Sequence, residues 1–349
     1  MNAIEQALLR AIFLTGPDAL ADFRRWQAAI DLDRLPPDQY PLLPMLAARL
    51  EALGVAPEAR LTGVRRRAWY VNQLALRTLT TATQTLRAAD LTPVLIGDAA
   101  SAQANSPLGP LRPIETAALL VPAAQARDAV RALTDQDWRP QPASASIASP
   151  AFYVWRSMCP FAQAAGRRFE LRWHAFPDRP TAALEAALWR QCVPGPDTLA
   201  PLKLSATTLL LLACATAATH TTRSLIALAD VIMLLRSDQP VDWPGLIELA
   251  ALADLTSSIS TALETARAIT EIDVPDHVWA QLRAGGPRVS SGAMGWRQQS
   301  RRFRQIASAQ ARTPSPAAFL DYLQHQWSLA RRREALLRLI RRVAHIGPP

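Results

Sequence analysis

The sequence predicts an α+β fold, in which a small mixed sheet with flanking helices connects an N-terminal and a C-terminal helical region. Apolar residues recur every three or four positions through the first ninety residues, which is typical of amphipathic helices. Short β-branched apolar runs then alternate with helical segments up to residue 180, and helical spacing returns afterwards. With 349 residues, half of them apolar, the chain is long enough to bury a sizeable core.

Changes in this periodicity divide the chain into four predicted regions. A proline-rich break at 36–41 separates two helices of the first region, and a glycine-rich segment at 283–295 precedes the last region. The predicted regions are an N-terminal helical region (1–89), an α+β core (90–180), a C-terminal helical domain (181–285) and a basic helical tail (296–349).

The core region is predicted to alternate strands with helices. Its first strand ends at Gly97, and a helix follows in which Asp98 stands near the N-cap. A turn-rich loop then leads into the second strand, and two aromatic segments with alternating polarity predict an antiparallel pair. The predicted strands are 91–97, 114–121, 151–158 and 167–176, and the predicted helix between them is 121–138.

Composition favours a cytoplasmic protein without a transmembrane segment. The longest apolar stretch, 204–218, is too short and too rich in hydroxyl side chains to cross a bilayer, and it predicts a packed core helix. The N-terminus carries an early acidic residue and no convincing cleavage site for a secretory signal. The three cysteines, Cys159, Cys192 and Cys214, are widely spaced, which indicates reduced thiols and neither a disulfide framework nor a zinc site.

Several short motifs follow one another in order over roughly residues 60–285. They are PVLIG ending at Gly97, Arg112–Pro113 leading into TAALLV, FELRW at 169–173, the segment from Cys214 to His220, the segment 225–230 ending in Asp230, and Asp242–Trp243. Taken together, this ordered set resembles the uncharacterised bacterial nucleotidyltransferase family, a branch of the DNA polymerase β-like superfamily. The resemblance implies a nucleotidyltransferase-like sheet in the core region.

The family's chemistry requires carboxylates that this chain lacks. Two carboxylates at positions i and i+2 of a strand project from one face, where they hold Mg²⁺ ions that bridge the nucleotide phosphates. Here the corresponding positions are Thr116, which offers only a neutral hydroxyl, and Ala118, which offers no ligand. Ile96 stands where the family has lysine, Thr216 where it has histidine and Ala227 where it has tryptophan. We therefore expect metal-dependent nucleotidyl transfer to be lost, with no metal site and no confident catalytic residue.

Some polar residues at family positions remain, and each has a functional and a structural interpretation. Glu170 matches the family's third carboxylate, or is a solvated residue on an edge strand. Asp98 is a ligand-binding candidate or a helix N-cap, and Arg112 meets an anion or forms a loop salt bridge. His220 and Asp230 line the cleft or cap helices. The candidate ligand-binding residues are Gly97, Asp98, Arg112, Glu170, His220 and Asp230.

The first functional hypothesis is a pseudoenzyme. It uses the old nucleotide cleft, or the surface around it, to bind a nucleotide-like ligand, a peptide or a partner protein, and no cofactor is expected. The resemblance implies a place beside a biosynthetic enzyme for peptides or polysaccharides, since members of this family are often encoded with such genes.

A second hypothesis retains catalysis. In this alternative Glu170, Asp98 and Glu115 form a rebuilt acidic site that uses Mg²⁺ and a nucleoside triphosphate to modify a small molecule or a peptide. A third hypothesis is an enzyme of altered chemistry in the same cleft.

The positive charge of the chain lies in its tail. From Arg297 onwards there are eleven arginines against Asp321 and Glu334, a balance of +9 that equals the formal net charge of the whole chain. Arginines interleave with leucines at helical spacing around Arg331 and Arg342. This pattern predicts either binding to an acidic partner, nucleic acid or a membrane surface, or a terminal helix with a solvated arginine face.

Overall fold

The fold joins one mixed sheet of seven strands to fourteen α-helices in the described part of the chain, which confirms the predicted α+β class. A computed structural model of the chain describes residues 1–104, 106–141, 147–164, 166–176, 181–196, 199–219, 223–284, 316–326 and 336.

The N-terminal region is helical, as predicted. Asn2 and Glu5 form a capping box at the start of the first helix, and the proline-rich segment 36–41 lies between the second and third helices, as predicted. The fourth helix is the longest and reaches the sheet, where it packs against two strands. These helices are α1 (Ala3–Phe13), α2 (Gly16–Ala29), α3 (Leu43–Ala52) and α4 (Ala59–Arg87).

The sheet has the strand order β3-β4-β5-β2-β1-β7-β6. Its neighbours pair antiparallel except for β2 with β5 and β1 with β7, which run parallel. The strands are β1 (Val94–Ile96), β2 (Ala118–Leu120), β3 (Arg139–Pro140), β4 (Met158–Ala162), β5 (Arg168–Arg172), β6 (Cys192–Pro194) and β7 (Leu202–Leu204).

Three strand predictions need correction. The predicted strand 151–158 is mostly helix, Pro150–Trp155. A proline suits the first turn of a helix, and the side chains of Phe152 and Trp155 pack into the core. The predicted strand 114–121 is confirmed only over β2. Strands β6 and β7 lie in a segment predicted to be wholly helical, and they extend the sheet beyond residue 180.

The remaining helices follow the predicted pattern, apart from the helix Pro150–Trp155. The apolar stretch at 204–218 forms a helix with many fully buried residues, as expected for a core helix. Within the described residues, no helix has both the length and the hydropathy needed to cross a bilayer. These helices are α5 (Asp98–Ala102), α6 (Ala126–Thr134), α7 (Pro150–Trp155), α8 (Ala182–Arg190), α9 (Ala206–Thr219), α10 (Ser224–Leu235), α11 (Trp243–Leu252), α12 (Thr256–Thr270), α13 (Asp276–Ala284) and α14 (Pro316–Gln326).

Candidate functional site

The candidate site begins at the turn between β1 and α5. Gly97 adopts φ +69°, a left-handed conformation that costs a glycine little and other residues more. A Cβ atom added to Gly97 would lie 3.9 Å from the Cβ atom of Ala118, so the turn lies directly against β2. The glycine turn predicted after the first strand is therefore present, between β1 and α5.

Three neighbouring strands place one residue each in a row beside this turn. The register pairs Ala118 with Ile96 on one side and with Glu170 on the other. Because paired residues project from the same face of a sheet, the carboxylate of Glu170 shares its face with two apolar side chains. Ile96 and Ala118 are both fully buried.

Thr116 lies in a bend two residues before β2 and does not share the strand with Ala118. Its backbone N–H donates to the carboxylate of Asp98 at 2.9 Å, and the backbone N–H of Glu115 donates to the same oxygen at 3.2 Å. Residues 115 and 116 were predicted to lie in the strand, but their backbone N–H groups donate to the Asp98 side chain instead of to a neighbouring strand. This explains why β2 begins only at residue 118.

Glu170 lies inside the sheet, so its interpretation as an edge-strand residue is wrong. Strand β5 pairs with β4 on one side and β2 on the other. The Glu170 side chain is 21% exposed, and Oε2 accepts hydrogen bonds from Arg172 Nη2 at 2.6 Å and from Nε at 3.0 Å. The one carboxylate that matches the family pattern is therefore held in an ion pair.

Asp98 is buried, and both of its carboxylate oxygens are engaged. One oxygen accepts the two backbone N–H groups of residues 115 and 116, and the other lies 3.0 Å from Arg112 Nη2 and 2.5 Å from Arg223 Nη2. Burial on its own would raise the pKa of Asp98, but the two guanidinium groups and the N–H donors hold that pKa below its ordinary value. Asp98 is the first residue of α5, directly after the N-cap position at Gly97, so its predicted place near the N-cap is confirmed, although its carboxylate bonds to residues 112, 115, 116 and 223.

Arg112 joins the turn to the C-terminal helices. Its guanidinium group donates to Asp230 through Nε at 2.9 Å and through Nη2 at 2.9 Å, and it donates to the Pro113 carbonyl through Nη1. Asp230 lies in the interior of α10 and is buried, so its interpretation as a helix cap is wrong. Burial raises the pKa of Asp230, and Arg112 opposes that rise. His220 lies outside the described residues.

Two residues of this cluster were not predicted. Asn72 of α4 donates to the Arg112 carbonyl at 2.9 Å and accepts from the Ile114 N–H at 2.8 Å, which fixes the loop before β2. Its signal was an amide side chain at a buried position of an amphipathic helix, whose other buried polar residues are Thr78 and Thr83. Arg223 precedes α10, and no sequence pattern distinguishes it from the other arginines.

The side chains present do not fit a pair of magnesium ions. Mg²⁺ prefers carboxylate oxygens, and the two family positions here carry a hydroxyl and a methyl group. Glu170 and Asp98 are both paired with arginines. Among the described residues, no three histidine, cysteine or acidic side chains form a group that could hold a metal ion.

Comparisons with known proteins found one family match. The sequence model of a family described as "Uncharacterised nucleotidyltransferase" matches residues 38–271, which is about two thirds of the chain. No curated protein matches the chain, and no solved structure matches it either.

Proposed function

We propose that this chain, which belongs to the uncharacterised nucleotidyltransferase family, has lost metal-dependent nucleotidyl transfer and binds a ligand or a partner protein around the former nucleotide cleft. In this role it is an accessory protein beside a biosynthetic enzyme for peptides or polysaccharides, the context that the family resemblance implies.

The environment of Asp98 carries this proposal. A rebuilt acidic site would need this carboxylate to ligate a metal ion, and its oxygens already accept two backbone N–H groups and contact two guanidinium groups. A metal ion would have to displace Arg112 and Arg223, each of which is attracted to Asp98 by its full charge. Glu115, the third acid of that alternative, is half exposed and lies 3.9 Å from Arg223.

Arg223 supports ligand binding that needs no metal. Its side chain is 34% exposed, so the charge that pairs with Asp98 also faces solvent. Its Nε atom is buried and has no hydrogen-bond partner within the described residues. An anionic group of a nucleotide-like ligand would pair with the exposed part of the Arg223 guanidinium group next to the glycine turn.

Calorimetric titration with ATP, CTP, GTP and UTP, each with and without Mg²⁺, tests the proposal. We expect Mg²⁺ not to increase the affinity, because the donors that would hold it are absent or paired. Magnesium-dependent binding at micromolar affinity would contradict the loss of the original mechanism.

Two variants extend this test. Arg223→Gln removes the charge beside the glycine turn, and we expect it to abolish metal-independent nucleotide binding. The double variant Thr116→Asp/Ala118→Asp returns two carboxylates to the family positions. A gain of magnesium-dependent nucleotide binding in this variant would show that the two lost ligands account for the lost chemistry.

A further inference from the structure

A cavity of about 360 Å³ opens in the N-terminal helical region. It lies between two short turns at 32–34 and 40–42, the start of α3 and the first half of α4. Its volume is within the range of sites that bind small ligands or anchor side chains, roughly 300–1,000 Å³. Apolar side chains and two arginines line it: Leu32, Tyr40, Leu43, Arg60, Leu61, Gly63, Val64 and Arg67.

The α4 wall of this cavity continues as an exposed apolar stripe along the same helix. Residues three or four positions apart lie on one face of a helix, and this spacing leads from Arg67 to Tyr70, Val71 and Leu74. These three side chains are 58%, 40% and 46% exposed, and the neighbouring Trp69 is 61% exposed. We call the stripe formed by residues 60, 63, 64, 67, 70, 71 and 74 the α4 surface.

Gly63 lies in the interior of α4, where glycine is less favourable than alanine because it loses more backbone entropy on folding. A Cβ atom added there would meet no heavy atom within 4 Å. Close packing within the chain therefore does not require a glycine here. A glycine does keep the cavity wall open for a group that comes from outside.

The charge around the α4 surface is positive and is only partly neutralised. Helix α4 contains six arginines and no acidic residue. Arg60 pairs with Asp33, and Arg65 pairs with Glu51. No ion pair of Arg66, Arg67 or Arg77 is found within the described residues, and all three side chains are exposed.

We propose that the cavity and the α4 surface form a docking site for an acidic amphipathic helix of a partner protein. Apolar side chains on one face of that helix fill the cavity and cover Tyr70, Val71 and Leu74. Carboxylates beside them pair with Arg66 and Arg67. Tyrosine, tryptophan and arginine are the residue types that contribute most to the stability of protein interfaces.

Charge and shape favour this occupant over others. The basic tail of the chain carries the same sign of charge as the surface and would be repelled. A single-stranded nucleic acid would pair with the arginines and stack on Trp69 and Tyr70, but its polar backbone would leave the apolar lining of the cavity uncovered. The site shares no residue with the glycine-turn cluster, so the nucleotide titration and the docking experiment fail or succeed independently.

Fluorescence anisotropy with the full chain tests the proposal. The probe is a fluorescein-labelled peptide of about 18 residues, with leucines at helical spacing and glutamates elsewhere. We expect it to bind, and we expect the affinity to fall about tenfold or more in Arg67→Glu and in Gly63→Leu. Gly63→Ala adds one methyl group and should retain most of the affinity, with an unchanged or higher melting temperature.

Arg24→Glu is the matched control, because it makes the same charge change at an exposed arginine of α2 outside the α4 surface. Failure of the acidic peptide to bind, or equal weakening by Arg67→Glu and Arg24→Glu, would overturn the proposal. Tighter binding of single-stranded DNA, or of the same peptide with lysines for glutamates, would also overturn it. Should Arg67→Glu not fold, Tyr70→Ser on the solvent-exposed part of the surface takes its place.

Discussion

At the scale of single residues, the candidate site is a buried cluster of charges. Asp98, Arg112 and Asp230 are all almost inaccessible to solvent, and Arg223 closes the cluster on one side. Removing charges from water is costly, and the cost is recovered only when each charge is paired and hydrogen-bonded. In the function proposed above, the same pairing that stabilises these carboxylates keeps them from a metal ion.

Arg112→Met tests the energetic role of this cluster. It leaves Asp230 buried without a partner, and we expect the free energy of unfolding to fall by about 3–5 kcal/mol. The double variant Arg112→Met/Asp230→Leu should lose less than the sum of the two single variants, since it removes both partners of one ion pair. Urea denaturation of the four chains gives the coupling. If the losses of the two single variants simply add up in the double variant, Arg112 and Asp230 have no interaction energy with each other.

The stability that Asp98 contributes should depend on pH. Its pKa in the folded chain lies below the ordinary value of 3.8, so its contribution is present above that value and is lost as the pH falls through the folded pKa. The difference in unfolding free energy between the native chain and Asp98→Asn should therefore shrink as the pH is lowered from about 6 to about 3. Asp128→Asn, at an exposed position of α6, is the control for removing one carboxylate from the chain. A constant difference across this range for Asp98→Asn would contradict the prediction.

At the scale of secondary structure, sequence patterns predicted elements wherever local periodicity and burial agree. Helices α1 to α4 and α9 to α12 follow their apolar spacing, and the glycine turn follows from a strand that ends in Gly97. The patterns failed where a tertiary contact competes with local preference. Asp98 binds the backbone of residues 115 and 116, which removes them from β2, and no local signal reveals a partner 17 positions away.

The aromatic segment at 151–155 shows the same limit. Its Phe, Tyr and Trp side chains are typical of strands, yet it forms α7, in which Trp155 packs against Tyr322 at a ring distance of 5.8 Å. Of the predicted ligand-binding candidates, the structure brings Gly97, Asp98, Arg112 and Asp230 together in one cluster, and their binding of a ligand stays a prediction. The sequence did not predict that Arg112 and Asp230 contact each other, because they are 118 positions apart.

At the scale of the whole molecule, the C-terminal helices contact both the α+β core and the N-terminal helices, which sequence periodicity divides into separate regions. Helix α10 holds the loop before β2 through Asp230, and both α10 and α12 pack against α1. Arg236, just after α10, donates hydrogen bonds to the backbone carbonyls of Phe13 and Thr270. One side chain thereby joins the ends of α1 and α12, and the glycine-turn cluster and the first helix both depend on α10.

Arg236→Leu should destabilise the contact between the end of α1 and the end of α12. It leaves two backbone carbonyls without their donor, and a charge-assisted hydrogen bond contributes about 1.5–3 kcal/mol, so we expect a loss of this order in the free energy of unfolding. Amide hydrogen exchange should quicken at the end of α1 and the end of α12, while β4 and β5 keep their protection. Arg190→Leu is the control, because Arg190 is 67% exposed and lies 3.7 Å from Glu248, and its loss should change stability by less than about 1 kcal/mol. If the two substitutions lower the free energy of unfolding equally, Arg236 contributes no more than an ordinary surface arginine. Apolar packing alone would then hold α1, α10 and α12 together.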